Sequence, residues 1–154
     1  MITLQPMDRQ MCHAFYREFE NDPAVGHYYE FRYDPAWADA YFDRNQTQDR
    51  LLFAIVLDGR IIGECKLKDM DLEKHTCRMG IHLLNDSVKE KGYGTQAERL
   101  VLRHAFTHLD MEMVFADAVL GNMRSRHVLQ KVGFYETGQD DTFAYYRCDR
   151  ENEI

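Results

Sequence analysis

A mixed α/β (α+β) fold in a single domain, residues 1–154, is predicted by three features of the sequence. Met79 to Phe134 reads as strand, glycine loop, helix, strand, helix. Two strand patterns meet at Asp58-Gly59, the dipeptide of a two-residue hairpin turn, and two more strands flank Gly138 to Asp141. The strand, helix, strand, helix order implies a right-handed crossover and a parallel pair, with a ligand crevice at the carboxyl ends of those strands. A chain of 154 residues buries one sizeable core, and a second domain is not expected.

In chain order, Ile2 to Met7 sets Ile2, Leu4 and Pro6 against Thr3 and Gln5 and is a short strand. Asp8 caps a helix over Arg9 to Glu20, in which Met11, Cys12, Phe15, Tyr16 and Phe19 recur at three and four. Asn21-Asp22-Pro23 ends it. Val25 to Tyr33 is dense in aromatics and has no period, so Tyr28, Tyr29, Phe31 and Tyr33 either wall a binding cleft or cover the core. A second helix follows from about Pro35 to Asn45.

Leu51 to Leu57 is a buried strand, and the chain returns from the Asp58-Gly59 turn through Arg60 to Lys68. On the return strand Ile62, Glu64, Lys66 and Lys68 share one face, and Ile61, Gly63, Cys65 and Leu67 the other. Glu64 is therefore a carboxylate beside apolar neighbours and a candidate base; the competing reading pairs it with Lys66 or a neighbouring strand. After a polar turn, Met70 to Lys74, the strand His75 to Leu84 carries Gly80 in its interior, a mark of a bulge, a close approach or a tight strand crossing.

The turn Lys89-Glu90-Lys91-Gly92-Tyr93-Gly94 opens the amphipathic helix Thr95 to Leu109. Its backbone N–H groups stand at a helix N-terminus, where unpaired donors and the helix dipole favour phosphate, and the glycines permit close approach to the main chain. An ordinary loop with turn glycines is the alternative. His104 and His108 stand four apart without the acidic partner of a metal motif and are expected to pack or cap; no metal is expected. Met113 to Leu120 is the next strand, Gly121-Asn122 ends it, and the helix Met123 to Val132 stops at Gly133.

The formal net charge of −7 argues against a nucleic-acid partner. An acidic surface tolerates a cationic amine, or simply keeps the chain soluble. No apolar run approaches bilayer length and the first residues show no secretory signal, so no membrane partner is expected and the cytoplasm is the expected location. Cys12, Cys65, Cys77 and Cys148 lack any CxxC spacing and read as reduced, buried thiols.

Ile81-x-Leu83, Lys89-x-x-Gly92-x-Gly94 with Ala97, and Asn122-Met-Arg-Ser125 leading to Lys131-Val-Gly133-Phe134 resemble the acetyl-CoA-binding core of the GCN5-related N-acetyltransferases (GNAT). The branch of ribosomal-protein alanine acetyltransferases is the most similar. The resemblance implies a mixed, mostly antiparallel sheet with a parallel pair at the cofactor cleft and about four flanking helices. It implies acetyl-CoA as co-substrate, with the pyrophosphate held by the turn over Lys89, Glu90, Lys91, Gly92, Tyr93, Gly94 and Thr95. Ile81, His82 and Leu83 lie along the pantetheine, Asn122 and Ser125 at the cofactor, and the aromatic segment supplies the acceptor-side lid.

This sequence departs from the family at three places. Lys89 stands where Gln or Arg is usual, which keeps charge but loses a fork of donors. Glu90 would face phosphate unless turned outward. The tyrosine acid found in some members seven residues after the helix asparagine is here Leu129, so Ser125 becomes the candidate proton donor to the departing thiolate, or else caps the helix or bonds the cofactor.

The expected activity is direct attack of a neutral primary amine, of a small molecule or a protein N-terminus, on the thioester. Glu64 is the first candidate base and its pKa is expected to be raised by Ile62 and Leu83; His82 is the second, though alternation leaves its direction open. A thiol route through Cys65 or Cys77 lacks a His or Asp in recognisable spacing. A non-catalytic acyl-CoA sensor and a nucleotide-binding module are the rival classes, and a homodimer is left open.

Overall fold

The computed structural model describes residues 1–20 and 31–153. A seven-stranded sheet runs through the molecule. Its strands are β1 (Ile2–Pro6), β2 (Leu51–Leu57), β3 (Arg60–Asp71), β4 (Thr76–Leu83), β5 (Met113–Val119), β6 (Tyr135–Gln139) and β7 (Phe143–Asp149), in spatial order β1-β2-β3-β4-β5-β7-β6. Among the described residues only β4 and β5 pair in parallel; every other neighbouring pair is antiparallel. The helices are α1 (Arg9–Glu18), α2 (Pro35–Arg44), α3 (Tyr93–Thr107) and α4 (Met123–Lys131). The mixed, mostly antiparallel sheet with four helices is the architecture expected from the sequence.

Local chemistry explains the element ends. Asp8 Oδ1 accepts from Met11 N at 2.8 Å and Asp34 Oδ2 from Trp37 N at 3.1 Å, so each acidic residue satisfies an orphan donor of the helix it opens. Asp58 and Gly59 both have positive φ, 50° and 79°, as a two-residue hairpin turn between right-twisted strands requires. Four bounds move from expectation by two residues or more. β3 runs on to Asp71, α1 stops at Glu18, and α3 starts at Tyr93 with Gly92 in its cap position and ends at Thr107 rather than Leu109.

Alternation along the strands separates two helical layers. Glu64 and His82 face α1 and α2, whereas Phe53 meets His104 of α3 on the opposite side, with ring centroids 5.2 Å apart. His104 also stacks on His108, which occupies the C-cap of α3, so both histidines serve packing and capping. The core is built on the α3 side by Ile55, Leu67, Val101, Leu102, Val114 and Tyr146 and on the α1–α2 side by Phe15 and Ile62, all under 2% exposed. All four cysteines are free and buried, and no helix among the described residues is long and apolar enough to cross a membrane.

Candidate functional site

The site begins where the parallel pair gives out. β4 and β5 are in register from Thr76↔Met113 to Arg78↔Phe115, but β4 continues to Leu83 and β5 to Val119. Past Arg78 the two strands part, and the Met79–Leu83 edge of β4 is left with backbone donors and acceptors facing a gap rather than a neighbouring strand. The gap lies at the carboxyl ends of the pair, as the crossover order requires.

The glycine turn closes one end of that gap. Gly92 sits in the left-handed region at φ 83° and serves as N-cap of α3 with no side-chain cap, and Glu90 is likewise left-handed at φ 60°. The first N–H groups of α3 therefore lack partners within the helix. A Cβ built on Gly94 would meet only Leu83 Cδ1, at 3.8 Å, so the space over this backbone is open and accommodates phosphate oxygens. Glu90 does not oppose that use: Arg124 Nε, at 3.4 Å, draws its carboxylate toward the start of α4. Asn122 caps α4 by accepting from Ser125 N at 3.1 Å. The capping role considered for Ser125 thus belongs to Asn122, because a side-chain oxygen three residues upstream reaches that N–H first; Ser125 is half-buried within the first turn.

The opposite side of β4 carries titratable groups. Glu64 of β3 pairs directly across from His82 of β4 and is 1% exposed. The Tyr16 hydroxyl from α1 donates to Glu64 Oε2, the Tyr41 hydroxyl from α2 donates to Oε1 at 2.5 Å, and His82 Nδ1 stands 3.5 Å from Oε2. Lys66 Nζ donates to the Tyr41 hydroxyl at 3.4 Å. Burial pushes the Glu64 carboxyl up, but the bond and charge of His82, the charge of Lys66 and the Tyr16 bond together outweigh it, and the group lies below its ordinary range. This corrects the raised value expected from Ile62 and Leu83: Leu83 is opposite Gly63 on the other face, and the residue beside Glu64 is His82. Tyr16 and Tyr41 are driven up by burial and then by the Glu64 charge, so they remain neutral donors.

His82, 35% exposed in its side chain, lies between this buried carboxylate and the open side, with its ring 5.5 Å from that of Phe19. Its direction, open in the sequence, is toward Glu64 and the α1–α2 layer. Phe31 packs against Tyr16, Phe19 and Trp37, with centroids 5.3, 5.4 and 4.8 Å away, and forms part of the wall over the network. Tyr33 turns aside: its hydroxyl bonds His13 Nδ1 at 2.7 Å, and His13 Nε2 reaches Asp39 Oδ1 at 2.8 Å. Tyr28 and Tyr29 lie outside the described residues.

Gly80 lies in an unbroken ladder opposite Lys66, not at a bulge. A Cβ there would stand 3.3 Å from Lys66 Cε, so the missing side chain makes room for the lysine stem. Tyr16, Tyr41 and Lys66 were not predicted as site residues. The signal for Tyr16 was present in its place on the buried stripe of α1, where a phenol must find a partner for its hydroxyl.

Comparison with known proteins agrees with this geometry. A family model described as an acetyltransferase (GNAT) domain matches residues 2–135. The putative ribosomal N-acetyltransferase YdaF of Bacillus subtilis (strain 168) is 29% identical over 121 residues, 79% of this chain and 63% of that protein. The present chain therefore spans somewhat under two thirds of that relative. Spermidine N(1)-acetyltransferase of Escherichia coli (strain K12) is 21% identical over 140 residues, 90% of this chain and 75% of the relative. The crystal structure of spermidine N-acetyltransferase from Vibrio cholerae in complex with CoA and spermine superposes with a TM-score of 0.84 at 13% identity, covering 98% of this chain and 96% of that one. At that identity the likeness is one of fold.

Proposed function

Because this chain belongs to the acetyltransferase (GNAT) domain family, we propose that it is an acetyl-CoA-dependent N-acetyltransferase that acts on a primary amine by direct attack. One observation carries the reading. The parted β4–β5 seam meets the open N-terminus of α3 on one side and the Glu64–His82 pair on the other, so a thioester and an amine have separate approaches to one point.

Acetyl-CoA, when bound, supplies an acetyl group activated as a thioester. The turn from Lys89 to Thr95 would hold its phosphates, the Ile81 and Leu83 backbone its pantetheine, and Asn122 and Ser125 line the α4 side. The first-turn N–H groups and the unoccluded face of Gly94 fit this assignment.

The amine must lose a proton before it attacks, since an alkylammonium has no lone pair. His82 takes that proton. With its Nδ1 turned to Glu64, an Nδ1–H donated to the carboxylate makes Nε2 the basic nitrogen. Glu64 positions the ring and stabilises the imidazolium, and Tyr16 and Tyr41 hold the carboxylate ionised. Its lowered pKa suits that supporting role better than the role of proton acceptor. Ser125 would return a proton to the thiolate. Burial pushes the Cys77 thiol up to about 12 and the Cys65 thiol well above its usual range, which leaves no thiolate for a covalent route.

A screen of small amines, polyamines, amino acids and N-terminal peptides, following thiol release from acetyl-CoA and product mass, tests the proposal. Acetylated amine formed in step with thiol is expected. Tight CoA binding with no release by any amine would overturn it in favour of an acyl-CoA sensor.

A further inference from the structure

We propose that Lys66 is itself an acceptor, a site of self-acetylation built into the sheet beside the seam; this rests on the acetyl-CoA reading above. Lys66 is the residue after next to Glu64 on the same face of β3, and it pairs across the ladder with Gly80, the second residue past the last parallel pair of β4. Its stem lies over Gly80, whose absent side chain is the space the stem fills. The lysine stem therefore reaches β4 at Gly80, two residues past the last parallel pair and next to the Ile81–Leu83 edge assigned to the pantetheine. Its ammonium is placed by two features of Tyr41, the hydroxyl at 3.4 Å and the ring, whose centroid is 5.2 Å away.

The surroundings favour the reactive form. Burial disfavours the Lys66 ammonium more strongly than the Glu64 charge supports it, so its pKa lies below that of a free lysine and more of it is neutral. The proton acceptor is already in place: Glu64 and His82 occupy the next position along the same face. In the step, the neutral Nζ attacks the thioester carbonyl carbon, a C–N bond forms and the C–S bond breaks. The surplus proton of the nitrogen passes to His82, and CoA leaves as thiolate and is protonated to the thiol. The products are Nε-acetyl-lysine and CoA, and no further reactant is needed.

Acetylation would also remove a positive charge that helps keep Glu64 ionised. The lysine would then report on, and alter, the carboxylate that supports the base.

The test is incubation of the intact protein with acetyl-CoA and no amine, followed by peptide mass spectrometry of Lys66 alongside the surface lysines Lys74 and Lys91. Lys66 is expected to gain one acetyl group at least about tenfold faster than either, as positioning at the thioester requires. Gly94→Val, which blocks the phosphate turn, should abolish the Lys66 product and leave surface labelling unchanged. Lys66→Arg should lose the fast product while still being stabilised thermally by CoA. If CoA raises Tm and amines release thiol, yet Lys66 is labelled no faster than Lys74, the self-acetylation is overturned and the transferase reading stands. If CoA neither raises Tm nor is released, both fall together.

Discussion

A carboxylate with 1% exposure survives in this sheet because each of its oxygens has a donor, and Tyr41 supplies one of them. Tyr41→Phe preserves the ring stacked on Trp37 but leaves Oε1 short of that bond. It should lower unfolding free energy by about 1–3 kcal/mol in urea titration. The loss should be pH-dependent. A carboxyl whose folded pKa is depressed contributes stability that is full above its unfolded pKa and lost as pH falls through the folded value, so native and variant should converge in acid. Unchanged stability at neutral pH would mean that solvent replaces the phenol. At this scale the sequence was partly legible. Strand alternation gave the shared face of Glu64 and Lys66, and the His82 pairing needed only the register. The phenols come from helices 48 and 23 residues away, a proximity that no local pattern encodes.

The turn before α3 was legible as glycines opening a helix, and Gly92 stands left-handed at its cap; its use for phosphate is the proposal. Gly94→Val is predicted to fold, because its Cβ finds only Leu83 Cδ1 at 3.8 Å. The branched side chain would fill the space required for phosphate. Differential scanning fluorimetry should show the native chain stabilised by CoA, by about 2.7 kcal/mol at a hundredfold excess over Kd, and the variant not stabilised. Full stabilisation of the variant would place CoA elsewhere. The parting of β4 from β5 was legible only as a crevice at the strand ends. Its starting point, after Arg78, depends on how each strand twists and on what packs between them. The aromatic segment was the least legible stretch, because residues without a period have no assigned face; Phe31 joins the wall and Tyr33 turns to His13.

Across the whole molecule the two helical layers respond oppositely to pH. Glu64, on the α1–α2 side, favours folding as it ionises. Glu98, on the α3 side, is 2% exposed, its Oε1 has no hydrogen-bond partner among the described residues, and burial lifts its carboxyl from 4.5 to about 8. Over that interval the folded chain holds a proton that the unfolded chain has released, so stability falls as pH rises. Glu98→Gln should remove the decline, giving a Tm above that of the native chain near the upper end of the interval and a smaller difference near the lower. A parallel pair of Tm curves would contradict this. The layered architecture and the parallel pair were readable from element order; the buried carboxyl was legible only in spacing, since Glu98 stands three and four residues before Val101 and Leu102 on the buried stripe of α3, where its residue type alone suggests a helix surface. The central claim is that the two layers meet in one reaction, with His82 as base and Glu64 behind it. The most direct test is the pH dependence of kcat/KM for a turned-over amine in the native protein and in Glu64→Gln. The variant should lose about 10²- to 10⁴-fold in kcat/KM across the pH range and keep its acetyl-CoA affinity, because the imidazole loses the carboxylate that orients it. An unchanged rate would contradict the account.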